Sequence, residues 1–178
     1  MNTVTYIILI VAAVFALLFI MAAFKSNHYT IVREIVVDKP VKQVFGYLRY
    51  LKNANNYSKW QIADPNIKTD YTGVDGMTGF IVAWDSKKAG KGEQEIKKIK
   101  EGERIDYELR FEKPFKGTAY SCLETEAKSE EQTQVIWSFS GERNLMLKVM
   151  HMLFNLPNVV GRDLAESLNT LKGILEEG

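Results

Sequence analysis

Residues 28–48, HYTIVREIVVDKPVKQVFGYL, decide the fold class because the hydrophobic period changes within them. Residues 28–38 alternate between polar and apolar side chains and are rich in β-branched ones, which predicts a β-strand. Asp38 is a candidate N-cap, with Pro40 near the first turn of a following helix. That helix is predicted from the helical spacing of Val41, Val44, Phe45 and Leu48.

A run of β-hairpins follows a second short helix, which is predicted to end at Trp60. Turn residues separate six strand-like stretches, and alternation within them assigns one side to a core and the other to water. The six are NIKTDYTG (66–73), GFIVAWD (79–85), EQEIKKIK (93–100), RIDYELRF (104–111), GTAYSCLETEA (117–127) and TQVIWSFSG (133–141). Acidic residues are expected mostly on the water side, among them Glu93, Glu95, Asp106, Glu108 and Glu124.

The period becomes helical again after Asn144. The stretch NLMLKVMHMLFNLP (144–157) is densely apolar, and a second helix is predicted from Asn158 to the end. A helix with one apolar stripe needs a surface to cover it, so the prediction is an α+β fold in which about seven antiparallel strands curve around this helix. The stripe consists of Val160, Leu164, Leu168, Leu171 and Leu175.

The first 24 residues differ in composition from the rest of the chain. They contain no Asp, Glu, Lys, Arg or His, and positions 6–24 are all apolar. As a helix this run is about 28 Å long, close to the roughly 30 Å hydrocarbon thickness of a bilayer. A signal peptide would have a basic start and a shorter apolar stretch, and a core helix would have a polar face. We predict an uncleaved transmembrane anchor (1–24) followed by one domain (25–178).

Basic residues are found on only one side of this predicted anchor. Residues 1–5 have none, whereas Lys25, Arg33, Lys39 and Lys42 follow the apolar run. The positive-inside rule therefore predicts a single-pass membrane protein whose domain lies on the cytoplasmic side. A single cysteine agrees with a reducing compartment.

Composition also limits the chemistry. With 23 basic and 22 acidic residues the formal net charge is +1, so no nucleic-acid partner is predicted. Cys122, His28 and His151 cannot form a cysteine-based zinc site, an iron–sulfur site or an intrachain disulfide, and we predict no metal and no cofactor. Cys122 and His151 would be the candidates for a catalytic nucleophile and its base. The sequence shows no third residue that would orient the base, so we do not predict such a catalytic pair. The glycines of residues 73–79 open no helix, so they indicate a hairpin turn rather than a phosphate-binding loop.

The order strand, two short helices, six strands and long helix is that of the helix-grip fold. Over about residues 28–176 the chain resembles the SRPBCC superfamily, which includes START lipid-transfer domains, birch-pollen-allergen-like proteins and polyketide cyclase/dehydratase-like proteins. It is most similar to the small membrane-anchored bacterial members of the last group. The resemblance implies a cavity between sheet and long helix that takes an apolar or amphipathic ligand. It is carried by REIVVDKPVKQVFGYL (33–48), Trp60, GMTGFIVAW (76–84) and TQVIWSFSGE (133–142).

Apolar and aromatic residues on the predicted inner surfaces are candidates to line this cavity, the alternative being that they fill a solid core. Residues 145–154, which include three methionines, are open to interpretation as a lid, a ligand entrance, a membrane-contacting patch or a buried helix. The candidates are Trp84, Tyr107, Leu109, Phe111, Val135, Trp137, Phe139, Met150, Phe154, Leu164 and Leu168.

These features favour a membrane-anchored domain that binds a hydrophobic small molecule or lipid as carrier, sensor or scavenger. The first alternative is a cyclase/dehydratase-like or hydrolytic enzyme, in which Tyr107 or His151 assists proton transfer inside the cavity. The second alternative is a protein-interaction module, because some members of the superfamily are partners of chaperone ATPases. The sequence names no protein partner.

Overall fold

The computed structural model describes residues 2–177, and its strands form one seven-stranded antiparallel sheet. The strands are β1 (His28–Val37), β2 (Lys68–Thr72), β3 (Ile81–Ser86), β4 (Gly90–Lys100), β5 (Arg104–Lys113), β6 (Gly117–Ala127) and β7 (Thr133–Glu142). Their order is β1-β7-β6-β5-β4-β3-β2, so strands β2 to β7 are neighbours in chain order and β1 pairs with β7. The predicted strand positions and number are confirmed.

Helices lie before, between and after these strands. The helices are α1 (Thr3–Ala23), α2 (Val41–Leu48), α3 (Ala54–Tyr57), α4 (Lys59–Ile62), α5 (Leu145–Phe154) and α6 (Leu156–Glu177), with a 3-10 turn at Leu51–Asn53. The long helix α6 packs along β1 and against the two short helices α3 and α4. One face of the sheet is thereby covered by helices.

Strand register separates an apolar face of the sheet from a charged one. Leu123 pairs with Ile105 on one side and with Trp137 on the other, and all three are buried. Because successive side chains of a strand point to opposite faces, the charged residues between them meet on the other side. There the acidic residues predicted to face water form ion pairs with two arginines: Arg104 with Asp106 and Glu124, and Arg110 with Glu93, Glu95 and Glu108.

The predicted stripe of α6 is its buried side, since Leu164, Leu168, Leu171 and Leu175 are all buried and Val160 is partly buried against the core. The helix begins two residues earlier than predicted. Asn155 ends α5 in the left-handed conformation, with φ 49°, and the chain turns there into α6. Pro157 then lies in the first turn, where a missing N–H breaks no helical hydrogen bond.

The prediction that Asp38 caps α2 is wrong, because Pro40 is the N-cap. The Pro40 carbonyl accepts hydrogen bonds from the backbone N–H groups of Gln43 and Val44. Asp38 lies two residues upstream and has other partners. Its N–H donates to the Glu176 carboxylate at 2.6 Å, and its own carboxylate accepts from the Gln132 amide at 2.7 Å. Asp38 therefore joins the end of β1 to α6 and to the turn before β7.

Helix α1 is the one helix in residues 2–177 that is long and apolar enough to cross a membrane. It has 21 residues, and its most apolar window has a mean hydropathy of 2.9. Most of its side chains are exposed, and its contact with the domain is with α5. This length and composition are common to membrane spans and signal sequences.

Candidate functional site

An internal cavity lies between the apolar face of the sheet and residues 51–62, which we call the lid segment. The lid segment consists of the 3-10 turn, α3 and α4. The space within it is about 70 Å³, room for only a few water molecules, and it is partly open at exposed Asn55. The lining residues are Leu51, Ala54, Asn55, Tyr57, Ser58, Trp60 and Gln61 from the lid segment and Val82, Trp84, Gln94, Tyr107, Leu109, Ser121, Leu123, Trp137 and Phe139 from the sheet.

Aromatic rings of the lid segment pack on an indole ring of the sheet. Trp137 of β7 meets Tyr57 and Trp60 edge to face, with ring centroids 6.0 and 6.3 Å apart. On the other side of the cavity the indole ring of Trp84 packs directly on Gly92. A larger residue at position 92 would place its Cβ atom 2.7 Å from that ring, which is too close. The cavity is thus walled by rings that hold one another in place.

Polar side chains are a minority of the cavity lining and comprise Asn55, Ser58, Gln61, Gln94 and Ser121 beside the phenols of Tyr57 and Tyr107. The Trp137 indole N–H donates to the Ser121 hydroxyl at 2.8 Å, and that hydroxyl donates to the Ser138 carbonyl at 3.1 Å. Tyr107 is only 2% exposed, and its hydroxyl makes no hydrogen bond to the described residues. The hydroxyl is nevertheless accessible to a water molecule, since the only buried polar side-chain atom without a partner in residues 2–177 is Arg143 Nε. Burial raises the pKa of Tyr107 well above its ordinary value. The cavity therefore contains a neutral phenol that is free to donate a hydrogen bond.

Hydrogen bonds attach the lid segment to the rest of the domain at its start, along its length and just after its end. At its start, the Asp75 carboxylate accepts from the backbone N–H groups of Leu51 (2.8 Å) and Lys52 (3.3 Å). In its middle, the Lys59 N–H donates to the Ser167 hydroxyl of α6 at 2.9 Å. Just after its end, the buried Asp64 carboxylate accepts from the Ser86 hydroxyl at 2.6 Å.

Comparison with solved structures shows a fold shared over more than four fifths of the chain. Norcoclaurine synthase from Thalictrum flavum, solved with dopamine and hydroxybenzaldehyde, has a TM-score of 0.65 at 11% identity, covering 84% of this chain and 87% of its own. The ZhuI aromatase/cyclase from Streptomyces sp. R1128 has a TM-score of 0.63 at 17% identity, covering 84% and 94%. The Aha1 dimer from Colwellia psychrerythraea has a TM-score of 0.58 at 16% identity, covering 83% and 96%.

These neighbours are SRPBCC, or Bet v1-like, proteins. The chain has their helix-grip fold. No protein-family model matches the chain, and no curated protein matches it in sequence. At these identities the likeness is one of fold, and helix-grip proteins differ in what they do. The resemblance inferred from the sequence is confirmed at the level of the fold.

Five of the eleven predicted site residues line the cavity of this helix-grip domain, and six do not. Phe111 lies behind Trp84, with ring centroids 5.8 Å apart. Val135, Leu164 and Leu168 are in the fully buried core, and Met150 and Phe154 are on α5. The five that line it are Trp84, Tyr107, Leu109, Trp137 and Phe139.

The sequence reasoning missed the residues that the lid segment contributes to the cavity. Two helices of four residues each are too short to show a hydrophobic period, so nothing in the sequence assigned an inner side to Tyr57 or Ser58. The one available signal was the aromatic pair Tyr57 and Trp60, three residues apart in a polar stretch.

The other reactive groups of the helix-grip domain lie apart from one another. Cys122 is among the residues of an open groove on the charged face of the sheet, and burial raises the pKa of its thiol to about 12. His151 of α5 lies edge to face with Tyr29 at 5.0 Å, and burial together with the nearby Arg143 lowers the pKa of its imidazole. Neither residue lines the cavity beside Tyr107.

Asp64, two residues after the lid segment, is expected to make the stability of the domain depend on pH. Hydrogen bonds from the Ser86 hydroxyl and from the Asn66 N–H lower the pKa of this carboxyl. A carboxyl whose pKa is lower in the folded protein than in the unfolded protein stabilises the fold at pH values above the unfolded pKa. This stabilisation is lost as the pH falls through the folded pKa. We expect Asp64→Asn to reduce the stability at neutral pH and to flatten the loss of stability as the pH falls below about 4.

Urea denaturation at a series of pH values measures this effect. Asp70→Asn is the matched control, because Asp70 is an exposed carboxyl on β2 and its removal should leave the pH profile near that of the unmodified chain. An Asp64→Asn profile that runs parallel to the unmodified one would contradict the assignment.

Proposed function

We propose that this protein is a membrane-anchored helix-grip domain that binds a hydrophobic small molecule or lipid carrying a polar group, as a carrier, sensor or scavenger. The observation that carries the proposal is the Tyr107 hydroxyl, which has no hydrogen-bond partner among the described residues and faces a cavity walled by aromatic, aliphatic and several polar side chains. A ligand hydroxyl, carbonyl or carboxyl would accept a hydrogen bond from this phenol in place of water.

The walls of the cavity suit an apolar body. Trp84, Leu109, Trp137 and Phe139 provide apolar contact area, and Tyr107 orients the polar end of the ligand. A neutral phenol is a hydrogen-bond donor and a weak acid, which favours binding over proton transfer as the role of Tyr107. Phe111 supports Trp84 from behind in this arrangement.

Binding requires the lid segment to move. Sites for drug-sized ligands enclose roughly 300–1,000 Å³, several times the present cavity. The sheet is rigid, whereas α3 and α4 are single helical turns with little stability of their own. We infer that the ligand enters by displacing the lid segment from the indole rings of the sheet, and that the contacts with Asp75 and Asp64 re-form over it or remain as hinges.

The second part of the proposal is the membrane. Helix α1 has the length of a bilayer span, and its sides are exposed over most of that length. Lys25 directly follows the apolar run and is exposed, in keeping with a domain on the cytoplasmic side. A tether of this kind keeps the domain at the surface in which hydrophobic ligands are dissolved.

A pair of probes that differ by one hydroxyl tests the role of Tyr107. We expect 1-naphthol to bind more tightly than naphthalene, and Tyr107→Phe to weaken 1-naphthol about ten-fold while changing naphthalene less than about two-fold. The full-length chain, held in an amphipathic polymer, is titrated with each probe. Intrinsic fluorescence reports binding directly, because all 3 tryptophans of the chain line the cavity.

Tyr120→Phe is the matched control, since Tyr120 lies on the neighbouring strand β6 and is 53% exposed. It should bind both probes as the unmodified chain does. Native mass spectrometry of the chain extracted from membranes then identifies any lipid it retains. A chain whose tryptophan fluorescence responds to neither probe, and which retains no lipid, would contradict the proposed function.

A further inference from the structure

Helix α5 carries an apolar surface that the domain leaves uncovered. Leu153 and Phe154 are 53% and 61% exposed, and Leu145 and Met146 at the other end of the helix are exposed as well. Large apolar side chains in one exposed group usually mark a contact surface. We call these four residues the α5 surface.

The α5 surface lies where α1 meets the domain. Helix α1 packs against α5. Near the C-terminal end of α1, the residues that are buried or partly buried are Leu18, Phe19 and Ala22. Leu18 is four residues before Ala22, which is about 6 Å along a helix axis. If α1 spans the bilayer, α5 therefore meets it at a depth where α1 is still apolar. Helices that lie in the interface of a bilayer bury their apolar side by roughly 5–10 Å, which is close to the distance of about 6 Å between Leu18 and Ala22.

The joint between α1 and the domain gives little freedom to move away. Only residues 24–27 separate α1 from β1. Arg143 clamps this joint, because its N–H donates to the Asn27 carbonyl at 2.6 Å and its guanidinium donates to the carbonyls of Ser26 (3.0 Å) and His28 (3.2 Å). The same guanidinium lies 3.3 Å from the His151 ring of α5. Anchor, joint and α5 are thus held together as one unit.

The apolar composition of the α5 surface and its place beside α1 favour a lipid surface as its partner. Helix α5 contains no Asp or Glu, its Lys148 is buried, and burial lowers the pKa of its His151. Exposed Glu142 lies just before the helix. Lys25 and Arg143 flank it at the joint. Phe24, which follows α1 directly, is 89% exposed and adds a further apolar ring at the same junction. An exposed apolar side on a helix that packs against a membrane anchor fits the interfacial layer of a bilayer, where such a side is buried.

We propose that α5 lies in the interfacial layer of the bilayer, so that the domain is docked on the membrane in one orientation rather than held on a flexible tether. This inference rests on the proposed membrane anchor. It gives α5 a partner that the rest of the chain does not provide, and it fixes which side of the domain faces the lipid.

Depth-dependent fluorescence quenching tests the docking. In a Cys122→Ser background, which removes the 1 cysteine of the chain, single cysteines are introduced by Met146→Cys and Leu153→Cys on the α5 surface, by Val11→Cys in α1, or by Val74→Cys. Each full-length chain carries a bimane label and is reconstituted in phosphatidylcholine and phosphatidylglycerol vesicles with or without brominated acyl chains.

We expect both α5 labels to lose at least about half of their fluorescence in brominated lipid, whereas the label at Val74, an exposed residue of the β2–β3 loop, is unchanged. If Val11 is quenched and neither α5 label is, the docking is wrong and the anchor stands. If Val11 is not quenched either, the anchor itself is wrong. If the α5 labels are shielded from aqueous iodide but not quenched by lipid, a protein surface covers α5 and the docking is overturned.

Discussion

Val11→Arg together with Val14→Arg is expected to move this protein from the membrane pellet to the supernatant. Both residues lie near the middle of α1 and are about half exposed, so neither substitution disturbs the domain. An arginine at the centre of a membrane helix costs about 2.5–3.5 kcal/mol, and two cost roughly 5–7 kcal/mol, enough to abolish stable insertion. Extraction of membranes with alkaline carbonate, followed by ultracentrifugation, measures the fraction retained.

The matched control carries Val74→Arg and Phe115→Arg, which add the same charge at exposed apolar positions of the domain. It should remain in the pellet. Carbonate removes proteins bound only at the surface, so the result reports on α1 and not on α5. A double variant that stays in the pellet, or a mature chain whose intact mass begins after residue 24, would contradict the anchor.

Trp137→Ala is expected to lower the free energy of unfolding by about 3–5 kcal/mol. The indole is 8% exposed and lies against Tyr57 and Trp60 of the lid segment, so its removal leaves a void at the centre of the cavity wall. It also takes away the hydrogen bond to the Ser121 hydroxyl. Urea denaturation followed by far-ultraviolet circular dichroism measures the loss without relying on tryptophan fluorescence.

Two further variants separate the loss of packing at Trp137 from the loss of its hydrogen bond. Trp137→Phe keeps an aromatic ring and loses the hydrogen bond, so it should lie between the unmodified chain and Trp137→Ala, with about 1 kcal/mol attributable to the bond. Phe115→Ala, at an exposed position of the β5–β6 turn, should change the stability by no more than about 0.5 kcal/mol. A Trp137→Ala variant as stable as Phe115→Ala would mean that the lid segment does not rest on this ring.

The strands and the long helix were predictable because their residues repeat with a period that one local rule explains. Alternation in residues 104–111 assigned Ile105 and Tyr107 to the core and Asp106 and Glu108 to the other face, as observed. The stripe of α6 was likewise visible from spacing alone. The N-cap of α2 was not predictable from spacing. Asp38 is a residue type that often caps helices, but its hydrogen-bond partners are Glu176 and Gln132, which are far away in the chain.

The place of the cavity was not predictable in this way. The resemblance implied a space between the sheet and the long helix, yet Leu164 and Leu168 of α6 are packed into a core without space, and the cavity lies under the lid segment. Periodicity shows which side of a helix is apolar. How closely that side approaches the sheet depends on the fit of side chains from distant parts of the chain.

The sequence by itself determined the α+β class, the seven strands, the long C-terminal helix and an N-terminal run of bilayer length, since each follows from residues that are neighbours in the chain. The tertiary structure alone decided which of the apolar residues meet. It brought Tyr57 and Trp60 onto Trp137, left the Tyr107 hydroxyl without a partner, and placed α5 against the end of α1. Contacts of this kind join residues far apart in the chain, and their geometry is set by packing rather than by local preference.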